Sequence, residues 1–280
     1  FISVTDIEKL VDPVLKPRYS GRKVTTVVLD PGHGGHDSGA VSAYAREKDC
    51  NLQLARLVGK KLLAAGYRVI MTRDGDYFLT LQQRVAIANK TPDCLFVSIH
   101  HNSGRSAAKG IETFTLAPHG TTSPFARTRR MEDLAGNDQD SENIALATAV
   151  HSRAIMNTKA VDRGIQRARF SVLCTIKRPA ILFEGGFVSN AEEGTLITTP
   201  EYREKLATSI CEGIRSFCTV VCQKDGGLKT TNKLNNKGSG TIGGKGGKDE
   251  KGGVKGKPAN KKQPTKATMN SRYSEGRIMR

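Results

Sequence analysis

Through residues 23–222, apolar strand-like runs alternate with amphipathic helical stretches, which predicts a single α/β domain built on a mostly parallel sheet. Two observations carry this reading. Residues 24–29 and 94–99 are nearly unbroken apolar runs, the composition of strands buried on both faces. Between them Leu54, Leu57, Val58 and Leu62 recur at helical spacing, so the connection is long enough for a parallel crossover.

The first strand stops at Asp30-Pro31-Gly32. Asp49 is placed to cap a helix that Gly66 ends. Residues 67–72 form a strand, and residues 79–89 form a helix with Leu81, Val85 and Ala88 on one face. Residues 111–116 alternate like a strand. Residues 117–141 are polar and include Pro118, Gly120, Pro124 and Gly136. A loop this long is expected to be functional, and we read it as a flap near the cleft. Residues 142–157 are helical, residues 170–175 and 180–183 are strands, and Pro200 opens a last helix ending near Phe217. Residues 1–22 form an irregular or briefly helical lead-in.

Residues 223–280 form a different kind of segment. Within them, residues 224–280 hold 15 Lys and Arg against 4 Asp and Glu, and 12 of the 29 glycines, with almost no large apolar residues. They account for most of the net charge of +17. Such a segment buries too little surface to offset its ordering entropy, so it is expected to be a disordered basic tail. It serves either as a solubilising appendage or as a tether to an anionic polymer.

No apolar run reaches the roughly 18–20 residues of a helical membrane span. The chain has no Trp, which argues against a sugar-binding module of stacked indoles. Its first residue is Phe1, compatible with a removed signal peptide. The cysteines, Cys50, Cys94, Cys174, Cys211, Cys218 and Cys222, contain no Cys-x-x-Cys pair, so a thiolate zinc cluster is not expected and no disulfide pairing can be deduced.

The chemistry-bearing residues collect at strand ends, where α/β folds place their sites. The first strand runs into Asp30-Pro31-Gly32-His33-Gly34-Gly35-His36-Asp37, another into Ser98-Ile99-His100-His101-Asn102, and a later one into Glu184-Gly185-Gly186-Phe187. Glu47 opens the first long helix after a glycine-rich loop able to fold back. Two imidazoles and a carboxylate with an open fourth position make a catalytic zinc set, and a further carboxylate serves as general base. The glycines alone would also suit a turn or a phosphate cradle, but no Gly-x-Gly-x-x-Gly follows the strand and no P-loop lysine appears.

The run Leu29 through Ala40 resembles the opening motif of the zinc-dependent N-acetylmuramoyl-L-alanine amidases, the amidase 3 family. Arg46-Glu47-Lys48, Ser98-Ile99-His100-His101-Asn102-Ser103 and Glu184-Gly185-Gly186-Phe187-Val188-Ser189-Asn190 resemble its three further blocks, in family order. The likeness covers about residues 24–217. It implies a twisted sheet of about six strands with helices on both faces. It also implies one Zn2+ held by His33, Glu47 and His100, with Glu184 as the catalytic acid/base. The implied reaction is cleavage of the amide between the lactyl group of N-acetylmuramic acid and L-alanine of the stem peptide. Peptidoglycan is then the partner, in the periplasm or cell wall, with a protein activator possible and no specific nucleic-acid binding expected.

His101 departs from the family pattern. Alternation along the strand places it on the face opposite His100. His36 reads as a loop residue, and His119 and His151 as ordinary surface or half-buried histidines. Two alternatives stay open at this point. Ser20-Gly21-Arg22-Lys23 and Ser141-Glu142-Asn143 match two signatures of serine penicillin-binding enzymes, without the Lys-Thr-Gly third. The other is a non-catalytic domain of the same fold that binds peptidoglycan.

Overall fold

The computed structural model describes residues 2, 4–16, 20–123 and 131–222; the basic tail lies outside the described residues. Two short helices, α1 (Val4–Asp6) and α2 (Asp12–Leu15), flank a π-helical turn in the lead-in. The domain proper runs β1 (Thr26–Pro31), α3 (Glu47–Ala64), β2 (Arg68–Met71), α4 (Leu81–Lys90), β3 (Cys94–Asn102) and β4 (Ile111–Leu116). It continues through α5 (Asp140–Thr158), β5 (Asp162–Ala168), α6 (Ser171–Cys174), β6 (Ala180–Phe187), α7 (Ala191–Ile197) and α8 (Pro200–Phe217). The sheet has six strands in the order β2-β1-β3-β6-β4-β5. β1, β2, β3 and β6 are parallel; β4 runs antiparallel to β6, with β5 parallel to β4.

Period-two alternation divides the strands between two cores. Val27, Leu29, Leu95, Val97, Ile99, Ile181 and Phe183 meet the apolar stripes of α3, α5 and α8, through residues such as Leu54, Val58, Leu146, Val150, Leu206 and Ile210. Val28, Phe96 and Leu182 pack on the other face with Val85, Phe170, Val172 and Leu173. A polar side chain at the end of β1, β3 or β6 therefore faces a helix layer until the strand runs out. The carboxyl ends of these three adjacent strands form one open edge.

That edge is held by buried charge. Asp30 accepts from Arg84 Nη1 (2.8 Å), Thr72 Oγ1 (2.6 Å) and Ser98 Oγ (2.8 Å). Arg84 also donates to the carbonyls of Pro31 and His33, both at 2.8 Å. The fully buried Arg73 donates to the carbonyls of Pro31, Gly32 and Lys48. Burial would raise the Asp30 pKa, but the Arg84 charge and the three hydrogen bonds outweigh it and hold the group below its ordinary value.

Two expectations are corrected. Residues 170–175 are not a strand: their apolar side chains bury as the single helical turn α6. The strand is instead β5, whose polar, glycine-containing sequence suits an edge position with one neighbour. The 117–141 insertion does not start beside the site. Because β4 opposes β6, the chain leaves β4 where β6 begins, at the end of the sheet away from His100 and Glu184. Asn137 Nδ2 donates to Ala117 O, and Asn143 Oδ1 accepts from the first amide of β6, Ala180, so both described flanks of the insertion lie there.

Asp30→Ala leaves Arg84 buried without its carboxylate and should lower unfolding stability by about 3–5 kcal/mol. A carboxylate held below its unfolded pKa stabilises above that value and loses its contribution as pH falls through the folded one. The difference between wild type and variant in denaturant titrations should therefore be full above about pH 4 and shrink below it.

Candidate metal centre and active site

The loop after β1 folds back because its backbone is gripped from both sides. Gly34 and Asp37 exchange hydrogen bonds (2.8 and 3.2 Å), and Lys48 Nζ donates to Gly35 O at 2.8 Å. Glu47 N donates to Ala40 O at 2.8 Å, fixing the start of α3 against the loop. Gly32 has no alternative residue, since a β-carbon there would lie 2.1 Å from the His100 ring. Gly39 has φ +61°, and a β-carbon would lie 2.6 Å from both Glu47 Oε2 and His33 Cδ2. His33 itself is left-handed (φ 63°), a strained setting for a non-glycine residue that Arg84 secures through the His33 carbonyl.

This geometry brings together the three residues implied as ligands. Ligand atoms of His33, Glu47 and His100 lie within 4.8 Å of one another. Glu47 Oε1 is 2.8 Å from His100 Nδ1 and 3.1 Å from His33 Nε2. Its other oxygen accepts from Ala40 N at 2.9 Å, so the carboxylate cannot rotate away. His33 Nδ1 is 2.8 Å from Asp37 Oδ2, which fixes the imidazole so that Nε2 faces the cluster. Nε2 is buried and, despite its nearness to Glu47, lacks hydrogen-bond geometry. A nitrogen lone pair turned toward a carboxylate and a second imidazole suits a cation, and the borderline-soft donor set suits zinc. Burial would lift the Glu47 pKa, yet the two imidazoles hold it well below the ordinary carboxylate range. Burial would lower the His33 pKa, but Glu47 and Asp37 together raise it.

Glu184 is fully buried on β6, directly in register with His100 on β3, so the two side chains share a face one strand spacing, about 4.8 Å, apart. His101 takes the opposite face, where Nδ1 contacts Asn51 Oδ1 at 2.8 Å. Burial pushes its pKa down to about 4, so it is neutral near pH 7. Beside the triad, a cleft of about 350 Å³ runs along the sheet between Phe78, Leu79, Gln82, Val172 and Leu182.

The other candidates lie elsewhere. His36 stacks on Phe78 with ring centroids 4.2 Å apart, and His119 is an exposed partner of Asp133. His151 is buried between Thr113 and Asp162. The Ser20 hydroxyl donates to the Val221 carbonyl, with no base in its bond, so the serine-enzyme alternative finds no nucleophile. Cys50, Cys94, Cys211, Cys218 and Cys222 are free thiols. Sequence reasoning missed Asp37 as the partner of His33, although its i+4 spacing was visible. It also missed Asn51, Arg73, Arg84 and Glu112; nothing local marks a buried arginine that serves carbonyls remote in sequence.

A buried cluster of two histidines and a carboxylate, with a further carboxylate on the next strand, is the layout of a metal-dependent hydrolase at the strand ends of an α/β sheet. The family model described as N-acetylmuramoyl-L-alanine amidase matches residues 27–216, and the chain belongs to that family. It is 36% identical over 193 residues to the uncharacterized protein YqiI of Bacillus subtilis, covering 69% of this chain and 84% of that one. It is 35% identical over 242 residues to the N-acetylmuramoyl-L-alanine amidase AmiC of Escherichia coli, covering 76% of this chain and 58% of that one. The catalytic domain of CwlV, an amidase from Bacillus (Paenibacillus) polymyxa var. colistinus, superposes with a TM-score of 0.58 at 33% identity, covering 70% of this chain and 99% of that domain.

His33→Ala and His100→Ala should each abolish tight zinc binding, whereas His101→Ala should retain it, as metal analysis after dialysis will read. Asp37→Ala should weaken zinc affinity about 10–100-fold in a chelator competition, because it frees the His33 ring without removing a ligand.

Proposed function

We propose that His33, Glu47 and His100 hold one zinc ion and that Glu184 is the general acid/base of an N-acetylmuramoyl-L-alanine amidase. The carrying observation is the in-register placement of Glu184 beside His100, over a donor set gathered within 4.8 Å. The family reaction is hydrolysis of the amide joining the lactyl group of N-acetylmuramic acid to L-alanine. Zinc bound here supplies Lewis acidity, lowering the pKa of water toward about 7 and polarising the scissile carbonyl. Glu184 takes a proton from the attacking water as the new C–O bond forms. It delivers that proton to the amide nitrogen as the C–N bond breaks, so the products are a lactyl carboxylate and a free peptide amine. The buried setting of Glu184 keeps bulk water from competing for that proton. His101, neutral and turned to the other face, takes no part.

Peptidoglycan lies outside the cytoplasmic membrane, so this reading places the protein in the periplasm or at the cell wall, where an activator protein could reach it. The chain then divides into a lead-in (1–22), a catalytic domain (23–222) and a basic tail (223–280) that binds anionic envelope polymer.

Glu184→Gln should keep the metal but lower turnover on a soluble muropeptide about 10²–10⁴-fold; near-native turnover in a zinc-loaded variant would remove Glu184 from the mechanism. Truncation after residue 222 should leave that turnover unchanged and weaken pull-down on sacculi. The loss should be greatest at low salt and vanish near 1 M, where the Debye length is about 3 Å. Equal binding at every salt concentration would reduce the tail to a solubilising appendage.

A further inference from the structure

Glu184 is not the last charged group in its row. Its neighbour on the far side from His100 is Glu112 of β4, in direct register and only 8% exposed. The Glu112 carboxylate is fully engaged, accepting from Asn102 Nδ2 at 2.9 Å and from Arg163 Nε at 2.5 Å. Arg163 opens β5, so His100, Glu184, Glu112 and Arg163 follow one another across four adjacent strands.

Arg163 is built to present its guanidinium. Its Cζ lies 5.0 Å from the centroid of Phe187, the residue that ends β6. The backbone beneath it is clamped, because Asp162 Oδ1 accepts from Gly164 N at 2.8 Å and contacts His151 Nε2 at 2.9 Å. Glu112 takes only the Nε edge. The two terminal nitrogens have no partner among the described residues, and the side chain is 39% exposed. A half-exposed ion pair adds little to stability, which leaves the orientation of the fork as its main consequence. A planar fork with two free donors, stacked on an aromatic ring, is the geometry that receives a carboxylate.

We propose that Arg163 is a substrate-binding residue that takes a carboxylate of the stem peptide and so sets the direction in which the peptide leaves the metal centre. This rests on the amidase reading. Three strand spacings separate β3 from β5, about 14 Å. An extended chain covers that distance in about four residues, at roughly 3.4 Å each. A peptide starting at the scissile amide and crossing the strand ends therefore brings one of its first few carboxylates under the guanidinium. Arg163 is the one cation of the row, and the Glu112 charge is paired by its Nε edge while Asn102 takes the second oxygen, so Glu112 is held away from the incoming group.

The test uses zinc-loaded wild type, Arg163→Gln and Arg163→Lys with a series of muramoyl peptides in which each carboxylate in turn is a carboxamide. In wild type one amidation should lower kcat/KM about 10–100-fold, the scale of a charge-assisted hydrogen bond. That amidation should have no effect in Arg163→Gln, and Arg163→Lys should fall between, having charge without the fork. Calorimetric titration of the metal-free proteins with the cleaved stem peptides, in acid and amide forms, should show the same loss of discrimination. A wild type indifferent to every amidation, or an Arg163→Gln variant that discriminates as well as wild type, overturns the proposal. Absence of cleavage of any muramoyl peptide by zinc-loaded wild type would instead overturn the amidase reading, and the binding comparison would still decide the role of Arg163. Should Arg163→Gln fail to fold, the lysine variant and the wild-type series decide.

Discussion

The site depends on two buried guanidinium groups that hold the carbonyls at the end of β1. The carbonyls of Pro31, Gly32 and His33 lie at and just beyond the end of β1, at a half-buried edge where each needs a donor. Arg73 and Arg84 come from β2's exit and from α4, and between them they bind Pro31, Gly32 and His33. Burying two cations is costly in itself. Asp30 supplies the counter-charge for Arg84, and the carbonyl dipoles take the remaining donors. The result is a chain reversal whose position does not depend on a bound ligand, so the His33 ring is set before any metal arrives.

From that fixed point the three donors inherit different kinds of rigidity. His100 is part of the central strand. His33 rides on a strained loop whose strain is absorbed by Arg84 and Asp37. Glu47 stands at the first turn of α3, with one oxygen tied to Ala40 N and the other turned to both rings. Glu47 and Asp37 together raise the His33 pKa above its ordinary value. With His33 as a proposed ligand, a cation would displace a proton from its ring, so metal affinity would rise with pH.

Much of this was legible in the sequence. The buried strands β1 and β3 and the helices α3, α4, α5 and α8 follow from local pattern, and the four blocks that hold His33, Glu47, His100 and Glu184 follow from strand-end placement together with the family resemblance. The Ser-x-His resemblance favours His100 over His101, alternation agrees with it, and the structure turns the two rings to opposite faces. What failed did so for physical reasons. β5 is an edge strand with few apolar residues, whereas the apolar run after it buries as one helical turn, so the hydrophobic signal pointed to the wrong segment. The reversal of β4 is a matter of topology and leaves no mark on residues 111–116, yet it decides that the 117–141 insertion leaves from the far end of the sheet. Arg73, Arg84 and Glu112 work through partners remote in sequence, which one chain read in order does not reveal.

The reversal of β4 has a second consequence for the site. In an all-parallel sheet the neighbour of β6 would bring its carboxyl end to the edge. Here β4 brings its start, and β5, parallel to it, brings its start as well. Two unlike surfaces therefore meet at the His33, Glu47 and His100 cluster. Below the cluster runs a cleft between Phe78 and Leu79 and, across the sheet face, Val172 of α6 and Leu182 of β6, and it is largely apolar. On the β4–β5 side lies the charged row of Glu184, Glu112 and Arg163. A substrate whose scissile amide sits at the centre has an uncharged acyl half and a carboxylate-bearing peptide half. An apolar wall offers nothing to the desolvated charges of the peptide, and the guanidinium offers nothing to the acyl group. On the proposed reading, a peptide drawn toward Arg163 leaves the lactyl half to the apolar cleft. The leaving nitrogen is then turned toward β6, the strand that carries Glu184.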